Sequence, residues 1–252
     1  MIFLRSLLFQ ILLILVTPLY GFVALPIAAL LPLAVRYRLF ANWAAFVTHS
    51  ARIVLGIRYQ VQGLENLPAQ PAVILAKHQS AWETCAFQSI FPPQGYVLKR
   101  ELLLIPFFGW GLALTPVIAI NRKAGRDALK QVAEQGKKRL AQGFWVVIFP
   151  EGTRVAPGQK GKYKGGGALL ASASKAPVVP VAHNAGEFWP KNSFLKKPGL
   201  ITVSIGPAID GSAHSASEIT ARAEEWIEAE MHRLFPHHYT VAPQPEDAPP
   251  VS

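Results

Sequence analysis

Short apolar runs alternate with stretches of helical spacing along most of the chain. The runs have the length of buried strands and span 72–76, 95–99, 116–120, 144–149, 177–182 and 200–205, with an alternating segment at 58–62 that is typical of an edge strand. The stretches of helical spacing are 40–54, 81–90, 127–142, 168–175 and 217–234. This order of elements predicts an α/β fold in which a mixed β-sheet is flanked by helices.

The N-terminus follows a different pattern, because thirty consecutive residues, Ser6–Val35, carry no charge. One bilayer crossing takes about 20 apolar residues and two crossings take about 40. Prolines and Gly21 interrupt the run, so we predict helices at about 3–17 and 22–35 that form a membrane-associated hairpin in one leaflet. The alternative is a single tilted spanning helix followed by an interfacial one. A cleaved signal peptide fits poorly, because its apolar core is usually much shorter.

These patterns divide the chain into a membrane anchor (1–39), an α/β domain (40–240) and a Pro-rich tail (241–252) that is predicted to be disordered. Basic residues follow the anchor with no acid before Glu65, which favours the cytoplasmic face of the membrane for the domain. Within the domain, the apolar and aromatic segment 102–114 is either ordinary core or a wall that faces lipid.

Charge is concentrated in the middle of the chain. Residues 99–199 contain seventeen Lys and Arg and five acids, a net charge of +12, whereas residues 1–98 carry +4 and residues 200–252 carry −6. A basic centre suits an acidic substrate, an anionic membrane surface or nucleic acid. It includes the Gly-rich segment 155–167, which is either a flexible loop that folds over an anionic ligand or a disordered surface loop. Cys85 is the single cysteine, which excludes an internal disulfide and a zinc site built on cysteines.

His78 comes two residues after the last residue of the strand predicted at 72–76, so it lies where a strand ends. In open α/β sheets, ligands bind in the crevice outside the carboxyl ends of the strands. Ser80 and Glu83 have the spacing of a capping box, which predicts a helix that begins at about residue 81. If Glu83 reaches back to one imidazole nitrogen of His78, the other nitrogen is available as a base. The alternative is that Glu83 only caps the helix and His78 is an ordinary turn residue.

Polar side chains also follow other predicted strands. Lys99 ends the second of them, and Arg122 follows the third. The turn after the strand at 144–149 has a physical logic, because Pro150 stops the strand, Gly152 permits a tight backbone path and Arg154 offers a planar fork suited to phosphate. Several polar groups at one edge of a sheet indicate a binding site better than any one of them.

The segment Lys77–Thr84 resembles the His-x4-acid motif of the glycerolipid acyltransferases, specifically the 1-acyl-sn-glycerol-3-phosphate acyltransferases. The acid of that motif is usually aspartate and is Glu83 here. Further blocks that match the family in the same order are Ile118–Arg122, Phe149–Arg154 and Val179–Val181. Asn121 stands where the family usually has aspartate. The resemblance covers residues 58–205.

The resemblance implies transfer of a fatty acyl group to the sn-2 hydroxyl of lysophosphatidic acid, giving phosphatidic acid at the inner (plasma) membrane. Acyl-CoA or acyl-carrier protein would be the co-substrate, with no cofactor and no metal. His78 would be the general base and Glu83 would orient it, a role worth about 10²–10⁴ in rate. Lys99, Arg122 and Arg154 would hold the acceptor phosphate, and Glu151 would orient the glycerol or the arginines. The expected substrate-binding residues are therefore Lys99, Arg122, Glu151, Gly152, Thr153 and Arg154.

Other functions are compatible with parts of the sequence. Another lysolipid or lipid hydroxyl could be the acceptor for the same catalytic turn. A nucleic-acid binder would explain the basic centre, but its basic residues lack interleaved aromatics, so we expect no nucleic-acid partner. A non-catalytic membrane scaffold is a further alternative. Cys85 falls inside a predicted helix and is expected to be packing rather than a nucleophile. His183 follows a strand end and could face the site.

Overall fold

The computed structural model of the chain describes residues 1–239, except for the side chain of Lys123. The tail predicted at 241–252 lies outside the described residues. Within them, the strands are β1 (Ile57–Gln62), β2 (Val73–Ala76), β3 (Gln94–Lys99), β4 (Ile118–Ile120), β5 (Trp145–Ile148), β6 (Val178–His183) and β7 (Gly199–Ile205). The α-helices are α1 (Ile2–Ala29), α2 (Leu33–Ser50), α3 (Trp82–Ile90), α4 (Phe108–Ala113), α5 (Arg126–Ala141), α6 (Gly166–Ser174), α7 (Ala185–Phe188) and α8 (Ala216–Leu234).

The strands form one mixed sheet in the order β1-β7-β6-β2-β5-β3-β4. Among the described strands, β6 and β7 pair antiparallel and the other neighbours pair parallel. The predicted mixed α/β sheet is therefore confirmed, and β1 is an edge strand as its alternating sequence indicates. Strand β2 is central, pairs with β5 and β6, and is buried along its whole length. The residues that follow β2 consequently lie in the middle of one edge of the sheet.

Helices cover both faces of the sheet. Ile74 faces a core formed with Val47 of α2 and Phe87 of α3. Its neighbour Leu75 faces the opposite core, where Leu170 of α6 and Ile219 of α8 pack. Successive strand residues point to opposite faces, so a strand with helices on both sides must be apolar throughout, and this explains its unbroken apolar run.

The predicted boundaries of the N-terminal helices are wrong, although the hairpin itself is present. Helix α1 continues through Pro18 and Pro26 to Ala29, and α2 begins at Leu33. A proline removes one backbone hydrogen bond, and in an apolar environment the remaining backbone groups have no better partners than those of the helix. The hydroxyl of Tyr20 donates to the carbonyl of Leu39, which ties the two helices together. Helix α1 is long and apolar enough to cross a membrane.

One face of α1 packs against the rest of the protein. Phe9 is fully buried and meets Trp189 edge to face, with ring centroids 5.2 Å apart. The hydroxyl of Ser6 accepts the Lys196 N–H at 3.0 Å. Large apolar side chains on the other face are exposed, among them Leu15, Leu19 and Phe22. The segment 102–114 behaves similarly, since Leu104 and Trp110 are exposed while other members line a pocket, so it is not ordinary core. The division at residue 39 remains a prediction.

Candidate active site

His78 and Glu83 are brought together as the sequence predicts. Nδ1 of His78 lies 2.9 Å from Oε1 of Glu83. The same oxygen accepts the backbone N–H groups of Gln79 at 2.9 Å and Ser80 at 2.7 Å. One carboxylate therefore holds both the imidazole and the backbone of the turn, and this geometry is compatible with the predicted dyad.

The predicted capping box is only half formed. Helix α3 begins at Trp82, and its N-cap is Ala81. The Ser80 hydroxyl accepts the Trp82 N–H at 3.1 Å, whereas a capping box would use the N–H of Glu83. The Glu83 carboxylate does return to the Ser80 N–H, because this bond also closes the turn that carries His78.

Glu83 is buried but remains a carboxylate. Burial alone would raise the pKa of Glu83, but nearby His183, the bond to His78 and the Ser80 N–H together lower it below its usual value. The hydrogen bonds of His183 fix its neutral form, since Nε2 donates to the Lys77 carbonyl at 2.8 Å and Nδ1 accepts the Ala185 N–H at 3.2 Å. Burial also lowers the pKa of His183. We therefore assign the stabilisation of the carboxylate mainly to His78 and the backbone, and His183 is a structural residue.

The imidazole of His78 lines a cavity of about 280 Å³. Its ring stacks on Phe149, with centroids 3.9 Å apart and the planes 14° from parallel. Because Nδ1 is used by Glu83, Nε2 is the nitrogen that can take a proton from a ligand. Arg122 and Arg154 line the same cavity.

The rest of the cavity is largely apolar and is formed mainly by α1, α2, α3, α4 and β3. The residues that line it include Thr17, Tyr20, Gly21, Tyr37, Phe40, Ala44, Cys85, Tyr96, Leu98, Leu102, Phe107, Phe108, Leu112 and Val117. Helix α1 thus contributes a wall of the pocket as well as an exposed apolar face. The pocket suits a long apolar molecule whose polar end lies beside His78 and the arginines.

The turn that bears Arg154 lies directly against the turn that bears His78. The Val155 N–H donates to the His78 carbonyl at 2.7 Å, and Arg122 Nη1 donates to the Gly152 carbonyl. Gly152 has a φ of +70°, which other residues adopt only with strain. Lys191 also reaches this turn, since its Nζ lies 3.3 Å from the Thr153 hydroxyl. The sequence does not predict that Lys191 lies at this site, because no local motif marks it.

Four of the six predicted binding residues do not line the described pocket, namely Lys99, Glu151, Gly152 and Thr153. Lys99 is exposed at the end of β3 and does not line the described cavity. Glu151 is buried, and its oxygens are occupied by the Lys77 ammonium at 2.8 Å, the His78 N–H at 3.1 Å and the Gly161 N–H at 3.1 Å. Its geometry therefore fits a role in holding the protein together rather than in contacting a ligand.

Cys85 lines the pocket, but its chemistry does not suit a nucleophile. Burial raises the pKa of the Cys85 thiol to about 12. The reactive form of cysteine is the thiolate, which is scarce near neutral pH in this environment.

A possible metal-ligating group lies elsewhere. Glu187, His237 and His238 have ligand atoms within 4.8 Å of one another. His238 Nε2 lies 2.9 Å from Glu187 Oε1, a distance that an ion pair also explains. These residues do not line the described pocket, so the group has no evident part in its chemistry.

A buried carboxylate orients the histidine, and the arginines line the same apolar pocket. An acyltransferase needs such a site when its acceptor supplies the attacking hydroxyl. Residues 58–184 match the family described as acyltransferase. The chain is 47% identical over 246 residues to the 1-acyl-sn-glycerol-3-phosphate acyltransferase of Pseudomonas aeruginosa, covering 96% of each protein. The chain belongs to the 1-acyl-sn-glycerol-3-phosphate acyltransferase family, which confirms the resemblance seen in its motifs.

More distant relatives agree. The mouse 1-acyl-sn-glycerol-3-phosphate acyltransferase alpha is 29% identical over 178 residues, which is 69% of this chain and 62% of the mouse protein. The chain thus spans less than two thirds of that relative. The crystal structure of the 1-acyl-sn-glycerophosphate acyltransferase PlsC from Thermotoga maritima superposes with a TM-score of 0.76 at 22% identity, covering 92% of this chain and 96% of PlsC. That similarity establishes the fold.

Proposed function

We propose that the protein transfers a fatty acyl group from an acyl thioester to the sn-2 hydroxyl of lysophosphatidic acid, giving phosphatidic acid for phospholipid biosynthesis. The observation that carries this proposal is the pairing of His78 with Glu83 at 2.9 Å, at the polar end of an apolar pocket. The name of the 47% identical relative supports the choice of acceptor.

In the proposed reaction, Nε2 of His78 takes the proton of the acceptor hydroxyl while its oxygen attacks the thioester carbonyl. The tetrahedral intermediate then expels the thiolate of the donor, which receives the proton from the imidazolium. Glu83 stabilises the imidazolium and fixes the tautomer that has Nε2 unprotonated. A thioester is already activated, so the mechanism requires no acyl-enzyme and gives Cys85 no role.

The acceptor phosphate is proposed to bind at the arginines. Arg122 and Arg154 both line the pocket, and a guanidinium matches phosphate geometry with two parallel hydrogen bonds. Lys191 contacts Thr153 and the Arg154 carbonyl, and so adds positive charge to the same turn. Lys99 is left with a long-range electrostatic role at most, because it lies outside the pocket.

We further propose that the acyl chain of the donor occupies the apolar part of the pocket. Acyl-CoA and acyl-carrier protein both present such a chain, and either is compatible with this pocket. The enzyme is proposed to act at the inner (plasma) membrane with its site on the cytoplasmic face. The exposed apolar face of α1 and the basic residues that follow it, with no acid before Glu65, support this location.

The proposal is tested with membranes that contain the protein or its His78→Ala variant. Labelled lysophosphatidic acid is supplied with acyl-CoA or with acyl-carrier protein, and the lipid product is identified by mass. We expect phosphatidic acid from the wild type and at least about a hundredfold less from the variant. Acylation of lysophosphatidylcholine or of another lysolipid in preference to lysophosphatidic acid would identify a different acceptor and overturn the proposal.

A further inference from the structure

Lys77 is a fully buried lysine immediately before the catalytic histidine. Its ammonium lies 2.8 Å from Oε1 of Glu151, 2.8 Å from Oε1 of Glu228 and 3.1 Å from the Gln159 carbonyl. An ammonium has three N–H donors, so each of them has a partner. A charge without contact to water persists in a fold only when it is paired and hydrogen-bonded in this way.

Lys77, Glu151 and Glu228 form a buried cluster, the Lys77 cluster, which connects three separate parts of the chain. Glu228 lies on α8, and its Oε1 also accepts the Tyr163 hydroxyl at 2.9 Å. Glu151 accepts the backbone N–H of Gly161 with one oxygen and that of His78 with the other, each at 3.1 Å. The cluster therefore ties the catalytic turn to α8 and to the loop 155–165.

This loop is anchored from end to end, contrary to the expectation of a flexible or disordered segment. It begins with the Val155 N–H bonded to the His78 carbonyl and closes with the Lys164 N–H bonded to the Pro150 carbonyl at 2.9 Å. Between these ends the contacts of Gln159, Gly161 and Tyr163 all lead to the Lys77 cluster. Both backbone polar groups of His78 are thus hydrogen-bonded, since its carbonyl accepts the Val155 N–H of the loop and its N–H donates to Glu151.

We propose that Glu228 is a positioning residue for acyl transfer, which acts through Lys77 and Glu151 to hold His78 and the loop 155–165 in place. Lys77, Glu151 and Glu228 do not line the described pocket. Loss of the Glu228 contacts should therefore misplace the base without altering the binding of the acyl chain. A displacement of about 1 Å at a catalytic group can cost about 10²-fold in rate.

The test compares three variants on α8, and the rate measurement rests on the proposed acyl transfer. Glu228→Ala removes the acceptor for Lys77 and Tyr163 but leaves the Lys77–Glu151 pair intact. Glu228→Gln keeps an acceptor oxygen, and Glu225→Ala on the exposed side of the same helix is the matched control. We expect Glu228→Ala to lower kcat by at least about tenfold with donor KM within about twofold, Glu228→Gln to keep at least about half of kcat, and Glu225→Ala to match the wild type.

A second measurement does not depend on the substrate. Limited trypsin digestion at Lys160 and Lys162 reports whether the loop is held, and we expect it to be faster in Glu228→Ala only. Wild-type kcat in Glu228→Ala, or equal losses in the alanine and glutamine variants, would overturn the positioning role. Should Glu228→Ala fail to fold, Tyr163→Phe removes one contact of the same oxygen and should show the same pattern more weakly. A wild type that does not acylate lysophosphatidic acid would refute the proposed function, while the digestion would still test the anchoring of the loop.

Discussion

The sharpest prediction concerns Glu83→Gln, because this change removes a charge and leaves the shape. The amide oxygen can still accept the N–H groups of Gln79 and Ser80, which now bond to Glu83 Oε1 at 2.9 and 2.7 Å. Those two donors also fix the orientation of the amide, since its NH₂ group would face them unfavourably. Nδ1 of His78 therefore keeps its partner, and the turn keeps its form. We expect the melting temperature to stay within a few degrees of that of the wild type.

The rate should respond much more strongly than the stability. Two unit charges about 4 Å apart interact by about 4 kcal/mol at an effective dielectric constant of about 20. Both groups are largely out of water, since the side chains of His78 and Glu83 are 15% and 0% exposed. If about two thirds of this interaction develops as His78 becomes charged, the barrier rises by about 2.7 kcal/mol, which is about a hundredfold in kcat.

The assay is steady-state acylation of lysophosphatidic acid, with a thermal melt of each variant under the same conditions. Glu83→Asp is the matched control, because it retains the charge, and it should keep substantial activity. A Glu83→Gln enzyme with near-wild-type kcat would show that the carboxylate only caps the turn, and the proposed dyad would be wrong.

Three further expectations follow from the site and the hairpin. Arg154→Lys should raise the acceptor KM and leave the donor KM nearly unchanged, because lysine lacks the bidentate fork; a change confined to donor KM would reassign the residue to the coenzyme or carrier. Burial raises the pKa of Cys85 to about 12 from an ordinary 9.0. Iodoacetamide at pH 8 should therefore alkylate the thiol roughly a thousandfold more slowly in the native protein than in the unfolded protein. Alkylation is followed by mass spectrometry, and rapid alkylation of the native protein would contradict this expectation. Gly21 packs against Phe107, and α1 extends about 12 Å past that contact. This length is less than half of a roughly 30 Å hydrocarbon core. A cysteine placed at Leu30 should therefore stay unlabelled from the outer face, and labelling there would establish a full crossing.

The strands and the pairing of His78 with Glu83 could be predicted because their signals are local. The strand that leads to His78 is buried on both faces, so its composition alone identifies it. Glu83 is close enough in sequence to His78 that a single turn brings them together. These features depend on backbone geometry within a few residues, which a sequence pattern reports directly.

Other features depend on partners that are distant in sequence. The Lys77 cluster joins a residue beside the motif to Glu228, which looks in sequence like any other acid on an amphipathic helix. The sequence predicts for the same reason that Glu151 orients the glycerol or the arginines, since nothing local shows that the buried Lys77 already bonds to it. The two prolines of α1 misled the prediction because proline is a helix breaker in water, whereas an apolar environment favours continuation of the helix.

The double role of α1 has a consequence for how a lipid reaches the catalytic residues. Tyr20 and Gly21 line the pocket, while Leu19 and Phe22 on the same turns of α1 are exposed. Helix α1 therefore separates the cavity from the medium that contacts its exposed face. If that medium is the bilayer, the fatty chain of the acceptor can stay in lipid beside α1 without meeting water while its hydroxyl reaches His78. Hydration of a chain of about twelve methylenes would otherwise cost about 10 kcal/mol, at about 0.8 kcal/mol each. The hairpin would then keep the acceptor in contact with lipid as well as anchor the protein, so the enzyme would not have to extract the whole substrate from the bilayer.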